Sequence, residues 1–374
     1  MTKIILAPDK FKGSLTGIEF CDAVERGIRK HTSDVEIIKL PLADGGDGTI
    51  EVLNFYLAGE MNSIEVHDPL HREINASYLY SKEKKTAYIE MAEASGIRLL
   101  KGDEANPMLT STYGTGELIK DALDKGAEHI ILGIGGSATN DAGLGMARAL
   151  GYVFFDENNN ELKGTGKDLI LLNSIDHSAV HPRLKSVKFE VACDVDNPLF
   201  GENGAAYIYS PQKGAAPKMV LELDAGLQHF NEVVKKQFEL DLQQISGAGA
   251  AGGLGAGCIL FLNAALNSGI DLLKKEANFD ALIKGADWII TGEGKLDEQT
   301  FSGKVIRGVL DSVSDQKLTI FCGLVDLDEA RVKEMNIHHI SEVTQYAASI
   351  EDSIQNAFAY LEKAAEDFAL KFLQ

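Results

Sequence analysis

The sequence has 374 residues and a formal net charge of −20, from 36 lysines and arginines against 56 aspartates and glutamates. This length predicts about two domains, and a hydrophobic content of 45% predicts packed cores rather than extensive disorder. So acidic a chain, with no apolar run of the roughly 18 residues that cross a membrane, is expected to avoid nucleic acid and membranes and to be a cytoplasmic protein.

The first part of the chain repeats a plan of strand, polar loop and helix. The apolar run Ile4–Ala7 predicts a buried strand, and Thr16 and Glu19 have the spacing of a capping box at a helix start. A second run, VEIIKL, leads into the loop PLADGGDGT, after which a second helix is expected. That loop holds Asp44 and Asp47 among three glycines, which suits either a tight turn or a bound cation.

The middle of the chain departs from this plan. Glu65–Ala94 alternates apolar and polar residues around SKEKK, which predicts an antiparallel hairpin with a solvated tip. Strand, loop and helix return in HIILGIGGSATNDAGLGMARALG, whose helix is expected to end at Gly151. Asn158–Lys167 is expected to be a loop, and Phe189–Lys213 a mixture of strands and turns.

The run SGAGAAGGLGAG, Ser246–Gly257, is unusual because so many small residues cannot fill a core. Glycine inside a regular element costs about 1 kcal/mol relative to alanine. The run therefore indicates either the close approach of a ligand or a second backbone, or a flexible hinge between domains.

The last part of the chain returns to the first plan. DWIITGEGKLDEQTFSGKVIRGVLDSV predicts a strand, a loop and a helix, LTIFCGLV and HHISEV predict two strands, and Ile350–Leu373 predicts a closing helix. Strands that alternate with helices imply parallel β-α-β units. We therefore expect an α/β protein with a doubly wound domain formed by residues 1–64 and 285–374. A second, mixed domain of residues 65–284 would be inserted between these two segments.

Four acidic residues follow predicted strands directly or within a few positions: Asp9, Asp44, Asp194 and Glu293. In open parallel sheets, ligands bind outside the carboxyl ends of the strands, where loops meet helix starts. Aspartate is also a good loop and N-cap residue, which accounts for any one of these positions taken alone. Four together, each beside glycine, lysine or asparagine, favour a site, because gathered like charges do not stabilise a fold.

Glycine marks a second candidate site. In GIGGSATNDAGLG, the backbone N–H groups of Gly135 and Gly136 could point at a phosphate, with the Ser137 and Thr139 hydroxyl groups as further donors. Close packing of the loop is the alternative. The loop GIGGSATNDAGLG contains no GxGxxG, and FSGK at Phe301–Lys304 lacks the upstream glycine of GxxxxGK[ST], which disfavours a nicotinamide-dependent dehydrogenase and a P-loop enzyme.

The remaining polar motifs fit phosphoryl transfer. TGEGKLDEQTFSGK contributes Asp297 and Lys304, and SPQKGA contributes Lys213. APDKFKGS places Lys10 and Ser14 where they could hold a small carboxylate. Carboxylates suit Mg²⁺ and lysines suit phosphate oxygens, although a lysine taken alone is more often a solvated side chain.

Seven motifs in order resemble those of the bacterial glycerate kinase family of the first type: APDKFKGSLT, LPLADGGDGT, GIGGSATNDAGLGMARALG, CDVDNPLFG, SPQKGA, GAGAAGGLG and TGEGKLDEQTFSGK. The resemblance implies ATP-dependent phosphorylation of D-glycerate with Mg²⁺, and 2-phosphoglycerate is favoured over 3-phosphoglycerate as the product. It also implies a Rossmann-like or flavodoxin-like domain paired with a second α/β domain. Ala142 departs from the family pattern, in which glycine is expected at that position.

The resemblance, joined to the residue inventory, suggests roles at a cleft between the domains. Asp44 or Asp47 would accept the proton of the attacking hydroxyl group, and Asp194 and Asp297 would hold Mg²⁺. Three residues of the first motif would bind glycerate, with Lys10 also placed in the catalytic set: Asp9, Lys10 and Ser14. The ATP site would be formed by the glycine-rich loop and by more distant polar residues: Gly135, Gly136, Ser137, Thr139, Lys213, Glu293 and Lys304.

Two alternatives stay open at this point. The chain could phosphorylate another small hydroxy acid, or it could be a non-catalytic sensor of sugar acids. The carboxylates present in every motif argue against a sensor, which does not need a full set of metal ligands. The sequence leaves the oligomeric state open.

Overall fold

The structure is a computed structural model that describes residues 1–46, 48–301, 305–328, 332 and 337–373. It divides into two compact units, one made of residues 1–56 with 268–374 and the other of residues 57–267. The domain boundaries predicted near residues 64 and 285 refer to domains that fold independently. The division into compact units does not test independent folding, so these boundaries stay a prediction. Within the described ranges, every helix is too short or too polar to span a bilayer.

Strands and helices alternate along most of the chain. The strands are β1 (Thr2–Leu6), β2 (Val35–Lys39), β3 (Glu60–His67), β4 (Glu73–Ser81), β5 (Thr86–Glu90), β6 (His129–Gly133), β7 (Val153–Phe155), β8 (Ser174–Asp176), β9 (Lys188–Ala192), β10 (Ala265–Asn267), β11 (Trp288–Leu296), β12 (Lys317–Val325) and β13 (His339–Glu342). The α-helices are α1 (Gly17–Arg29), α2 (Thr49–Leu57), α3 (Ala92–Ser95), α4 (Tyr113–Asp124), α5 (Leu144–Ala149), α6 (Ala205–Tyr209), α7 (Pro217–Phe238), α8 (Ala250–Leu262), α9 (Gly269–Glu276), α10 (Phe279–Leu282), α11 (Val305–Leu310), α12 (Ile350–Gln355) and α13 (Ala357–Phe372).

The first unit contains a five-stranded sheet in the order β2-β1-β11-β12-β13. All four pairings are parallel. Counted within the unit, this is the order 2-1-3-4-5 of flavodoxin-like folds, whose ligands bind where the order reverses. Here that switch point lies between the carboxyl ends of β1 and β11. The expected doubly wound α/β fold is thus confirmed.

Helix α1 begins and packs as its sequence predicts. The Thr16 hydroxyl group accepts a hydrogen bond from the Glu19 backbone N–H, and the Glu19 carboxylate accepts one from the Thr16 backbone N–H, which completes the capping box. Its apolar face lies against α13, where a Cβ at Gly27 would stand only 2.2 Å from the Glu362 carbonyl oxygen. Only glycine allows the two helix backbones to approach this closely.

The second unit contains a six-stranded mixed sheet in the order β10-β9-β6-β5-β4-β3 and a two-stranded sheet of β7 and β8. Strands β3, β4 and β5 are antiparallel neighbours, and the exposed residues 82–85 join β4 to β5. The expected hairpin with a solvated SKEKK tip is therefore confirmed. Strands β5, β6, β9 and β10 of the six-stranded sheet are parallel, so their carboxyl ends share one edge.

Apart from its exposed first residue, the small-residue run Ser246–Gly257 packs into the core of the second unit, so the expectation of a hinge between domains is wrong. Its backbone turns left-handed at Ala251, Gly252 and Gly253 before α8 continues. A Cβ at Gly252 would stand 2.0 Å from the Thr139 carbonyl oxygen, and one at Gly257 would stand 2.4 Å from that of Ala142. The run is therefore rich in small residues because a second backbone, that of residues 139–142, approaches it closely, which was one of the two interpretations of the sequence.

The closing helix differs from its prediction as a single helix over residues 350–373. It breaks at Asn356, whose φ of −110° and ψ of 21° are not helical, so that α12 and α13 are separate. The Asn356 amide donates a hydrogen bond to the Asp352 carboxylate, which also accepts one from the Tyr360 hydroxyl group. These side-chain bonds stabilise the break without proline or glycine.

Candidate functional site

A crevice opens at the switch point of the first sheet. The sheet ladder continues past β1, because the Ala7 and Asp9 backbone N–H groups donate to the Ile290 and Gly292 carbonyl oxygens at 2.8 and 2.9 Å. Asp9 therefore lies beside Glu293 on the neighbouring strand. On the other side, the Leu42 N–H donates to the Pro8 carbonyl oxygen at 2.9 Å, which brings the Asp44 loop to the same edge.

The three carboxylates of this crevice influence each other. Burial is the largest cause that raises the pKa of Asp9, and the negative charges of Asp44 and Glu293 raise it further, to about 7. The Lys10 backbone N–H, which donates to Asp9 Oδ1 at 2.7 Å, and the Lys10 charge oppose this rise. A carboxyl group whose pKa lies near 7 is typical of a functional site rather than of a surface loop.

Lys10 lies across the glycine-rich loop that contains Asp44. At Gly48, where φ is +90°, a Cβ would stand 3.1 Å from Lys10 Cδ and 3.4 Å from Lys10 Nζ. The bare backbone of ADGGDG thus leaves room for a lysine side chain as well as for a turn. Ser14 lies nearby on the next turn, with its hydroxyl group donating to the Phe11 carbonyl oxygen at 3.3 Å.

The segment that follows β11 contributes a hydrogen bond to the Glu293 side chain. The buried Thr300 hydroxyl group donates to Glu293 Oε1 at 2.5 Å and accepts a hydrogen bond from the Asp297 backbone N–H at 3.0 Å. Lys295 Nζ lies 3.6 Å from Asp297 Oδ2. Thr300 therefore fixes the orientation of the Glu293 carboxylate, a role that the sequence did not reveal.

These residues line a pocket of about 510 Å³. Its charged and polar lining includes Asp9, Lys10, Lys12, Ser14, Asp44, Glu293, Lys295 and Asp297. Its apolar lining includes Phe11, Leu324, Val343, Ile350, Ile354 and Ala357. The sequence predicted only polar members of this lining, because isolated apolar residues resemble ordinary core residues.

The second unit presents the glycine-rich loop at the carboxyl edge of β6. The loop is held against residues 95–97, with the Ile97 N–H donating to the Gly136 carbonyl oxygen and the Ala138 N–H to that of Ser95, both at 2.9 Å. Gly135 and Gly136 are exposed, and their backbone N–H groups have no acceptor among the described residues. Such donors fit an anion, as the sequence predicted.

The Lys213 side chain is buried against the glycine-rich loop and is not exposed to solvent. Its buried Nζ donates to the Ser137 hydroxyl oxygen at 2.6 Å and to the Thr139 carbonyl oxygen at 2.7 Å. Burial lowers the pKa of Lys213 to about 7, and the nearby negative charge of Asp141 opposes that shift. Lys213 thus joins Ser137 and Thr139, which the sequence had placed in the same site.

The loop also contains buried polar residues that the sequence analysis missed. Asp141 accepts hydrogen bonds from the Thr112 N–H and hydroxyl groups at 2.8 Å, and from the Gly143 and Gly145 N–H groups at 3.2 Å. Burial raises the pKa of Asp141, and these bonds oppose the rise. By contrast, the buried Asn140 side chain finds no hydrogen-bond partner in the described part of the chain.

Ala142, the departure from the family pattern, adopts a φ of +51°. This is the left-handed region, which costs an L-residue about 1–2 kcal/mol and which glycine adopts freely. The backbone at this position explains why glycine is expected there.

The remaining candidates lie apart from these two groups or outside the described residues. Asp194 is exposed two residues after β9, the strand that pairs with β6 through Ala192 and Gly133. It therefore shares the carboxyl edge with the glycine-rich loop. Asp47 and Lys304 lie outside the described residues. Among the residues that are described, no three His, Cys, Asp or Glu side chains gather as a metal site.

Comparison with known proteins gives one consistent result. A model of the glycerate kinase family matches residues 4–373. Over 372 residues the chain is 43% identical to a glycerate kinase of Halalkalibacterium halodurans, covering 99% of this chain and 98% of that protein. Over 369 residues it is 41% identical to the glycerate 2-kinase of Escherichia coli, covering 98% and 97%. A crystal structure of a protein proposed to be glycerate kinase 2 from Salmonella typhimurium LT2 matches with a TM-score of 0.89 and 38% identity, covering 100% of this chain and 98% of that one.

Proposed function

Because the chain belongs to the glycerate kinase family, we propose that it transfers the γ-phosphoryl group of ATP to D-glycerate, with Mg²⁺ as cofactor. The single observation that carries this proposal is the family match over residues 4–373. The crevice of Asp9, Asp44 and Glu293 with Lys10 supports it, since carboxylates and a lysine at a switch point suit phosphoryl transfer. The name of the glycerate 2-kinase relative favours 2-phosphoglycerate as the product.

In the proposed reaction, a hydroxyl oxygen of glycerate forms a bond to the γ-phosphorus while the bond from that phosphorus to the β-phosphate oxygen breaks. ADP leaves, and the hydroxyl proton passes to the carboxylate of Asp44 or Asp47. Lys10 and Ser14 bind the glycerate carboxylate beside Asp9, and the Lys10 charge also stabilises the negative charge on the transferred group. The position of Lys10 over Gly48 supports its reach toward the Asp44 loop.

For the nucleotide, we assign the phosphates to the loop of Gly135 and Gly136 with the Ser137 and Thr139 hydroxyl groups. The exposed N–H donors of this loop support the assignment. Lys213 holds the loop in shape through Ser137 and Thr139, and adds positive charge when it is protonated. Glu293 and Lys304 complete the proposed ATP site.

For the metal, we assign Asp194 and Asp297 as the protein ligands of Mg²⁺. Magnesium is usually bound by one or two carboxylates together with water and substrate phosphates, so a site of three protein ligands is not required. The carboxylate oxygens of this chain suit such a hard cation. When bound, Mg²⁺ neutralises charge on the phosphate oxygens.

The direct test is glycerate-dependent release of ADP by the purified protein, followed by identification of the phosphoglycerate isomer. Other small hydroxy acids tested under the same conditions would show whether glycerate is preferred. No ADP release with glycerate or with any other hydroxy acid would contradict the proposal and favour a non-catalytic sensor.

A variant tests the proposed base. If Asp44 accepts the proton, Asp44→Asn should lower kcat by about 100-fold or more while ATP still binds, because general-base catalysis contributes roughly 10²–10⁴-fold. An unchanged kcat would exclude Asp44 from that role.

A further inference from the structure

Lys213 is a buried amine whose contacts are all uncharged. The residue is 2% exposed, and its Nζ donates only to the Ser137 hydroxyl oxygen and to the Thr139 carbonyl oxygen. An ammonium group that leaves water without a counter-ion loses more free energy than hydrogen bonds to neutral groups restore. A charged Lys213 therefore requires an anion close to it.

The carboxylates of the second unit do not supply that anion by contact. The Asp141 carboxylate is occupied by hydrogen bonds from Thr112 and from its own loop, and no ion pair joins it to Lys213 in the part of the chain that the structure describes. Two further carboxylates lie on segments that pack beside Gly214 and Asn140, and each is held by a partner of its own: Glu104 by Arg72 at 2.8 Å, and Asp168 by Thr165 at 2.9 Å.

Ser137 connects the buried Lys213 to the exposed part of the glycine-rich loop, since it directly follows Gly135 and Gly136. A protonated lysine has three donors and no acceptor, so the Ser137 oxygen accepts from it and the Ser137 hydroxyl hydrogen is left for another acceptor. A neutral lysine has a lone pair that can accept this hydrogen. Protonation of Lys213 thus makes Ser137 a donor beside the exposed N–H groups of the loop.

We propose that an oxyanion bound at the glycine-rich loop is the counter-ion of Lys213, so that the loop binds the anion together with a proton on Lys213. The ligand class is a tetrahedral oxyanion, and in the reaction it is a phosphate group of the nucleotide. This inference rests on the proposed function, which assigns the ATP phosphates to this loop. The proton comes from the solvent and returns to it when the anion leaves.

The coupling has a definite sign. Burial lowers the pKa of Lys213 to about 7 in the free protein, and a nearby anion raises it again. Anion affinity is then highest below pH 7, where Lys213 is charged, and falls as the pH rises above the pKa of the complex. A pKa that rises by about one unit on binding makes the anion about tenfold weaker at pH 9 than at pH 6.

Sulfate is the probe for the test, because it stays a dianion from pH 6 to pH 9 and does not titrate itself. The NMR signals of the Gly135 and Gly136 amides in the intact protein report its Kd at the loop. The wild type should bind sulfate about tenfold more weakly at pH 9 than at pH 6. Lys213→Met should bind it at both pH values about as weakly as the wild type does at pH 9. Lys218→Met removes an exposed lysine of α7 and, as the matched control, should keep the pH dependence of the wild type.

Equal pH dependence in the wild type and in Lys213→Met would overturn the proposal, as would a loop that does not bind sulfate at either pH. If Lys213→Met does not fold, NMR of ¹³C-labelled lysine in the wild type replaces it. The midpoint of the lysine that titrates near pH 7 should then rise by about one unit in saturating sulfate, and an unchanged midpoint would overturn the proposal. Sulfate binding that depends on Lys213 in a protein without glycerate-dependent ADP release would support this inference while the proposed function fails. ADP release without that dependence would have the opposite consequence.

Discussion

The contact between the small-residue run Ser246–Gly257 and the glycine-rich loop allows a quantitative prediction for Gly252→Ala. At Gly252 the backbone has a φ of +71°, which costs an alanine about 1–2 kcal/mol. The new Cβ would stand 2.0 Å from the Thr139 carbonyl oxygen and 2.7 Å from the Asn140 Cα. Because both are backbone atoms in a packed core, the overlap costs about 1–3 kcal/mol more.

Against these costs, alanine restricts the unfolded chain, which offsets about 0.4–1 kcal/mol. We therefore expect Gly252→Ala to lower the stability of the second unit by about 2–4 kcal/mol, or its Tm by roughly 5–15 °C. Differential scanning calorimetry measures this shift. The displaced segment carries Thr139, so ATP affinity should fall in the same variant.

Two further variants separate the causes. Gly257→Ala adds a Cβ 2.4 Å from the Ala142 carbonyl oxygen without a positive φ, so it should lose only the steric part of the stability. Gly102→Ala, which meets no atom within 4 Å, should leave the Tm nearly unchanged. If Gly252→Ala melts at the same temperature as Gly102→Ala, the close backbone contact does not exist and the reasoning is refuted.

Three more predictions follow from buried or capping groups. The folded pKa of Lys213 near 7 lies below its ordinary value of 10.5, so the folded state binds fewer protons and stability should rise as pH increases from about 7 to 10.5. Lys213→Met should remove this rise, which amounts to about 3 kcal/mol between pH 6.5 and 9.5 in urea unfolding, and an equal pH dependence of stability in both proteins would contradict the lowered pKa of Lys213. The folded pKa of Asp9 near 7 lies above its ordinary value of 3.8, so wild-type stability should fall as pH rises from about 4 to 7. After allowance for partial exposure, Asp9→Asn should therefore be about 1–3 kcal/mol more stable than the wild type at pH 8 and nearly as stable as the wild type at pH 4. A difference in Tm between the two proteins that is the same at pH 4 and pH 8 would count against this prediction. Thr16→Ala should cost about 1 kcal/mol by removing the α1 cap, measured by chemical unfolding against the exposed control Ser33→Ala.

Local features of the fold were predictable because they depend on neighbouring residues. The Thr16–Glu19 capping box, the run Ile4–Ala7 and the SKEKK tip each contain their own signal, and each appears in the structure where it was expected. The same holds for Asp9, which follows β1, whereas Glu293 was expected after a strand and lies inside β11, which continues to Leu296.

Long-range pairings were not predictable in this way. Strand β1 lies between β2 and β11, which is almost 300 residues away in sequence, and a parallel partner leaves no local sign. Ser246–Gly257 fitted a hinge as well as a close contact, because the deciding partner, Thr139, lies in a distant loop. The apolar lining of the pocket was missed for the same reason: Leu324 and Ile354 are recognisable as lining residues only when the fold brings them to the pocket that Lys10 also lines.

The insertion of one unit within the other reverses the order in which the chain can fold during synthesis. The ribosome releases β1 and β2 first, yet the sheet they belong to lacks its central and distal strands until β11, β12 and β13 have emerged. The six strands of the larger sheet all lie within residues 57–267. That sheet can therefore form before β11, β12 and β13, the later strands of the first sheet, have been synthesised. The apolar strands β1 and β2 of a newly made chain therefore lack their sheet neighbour β11 throughout the translation of the inserted unit.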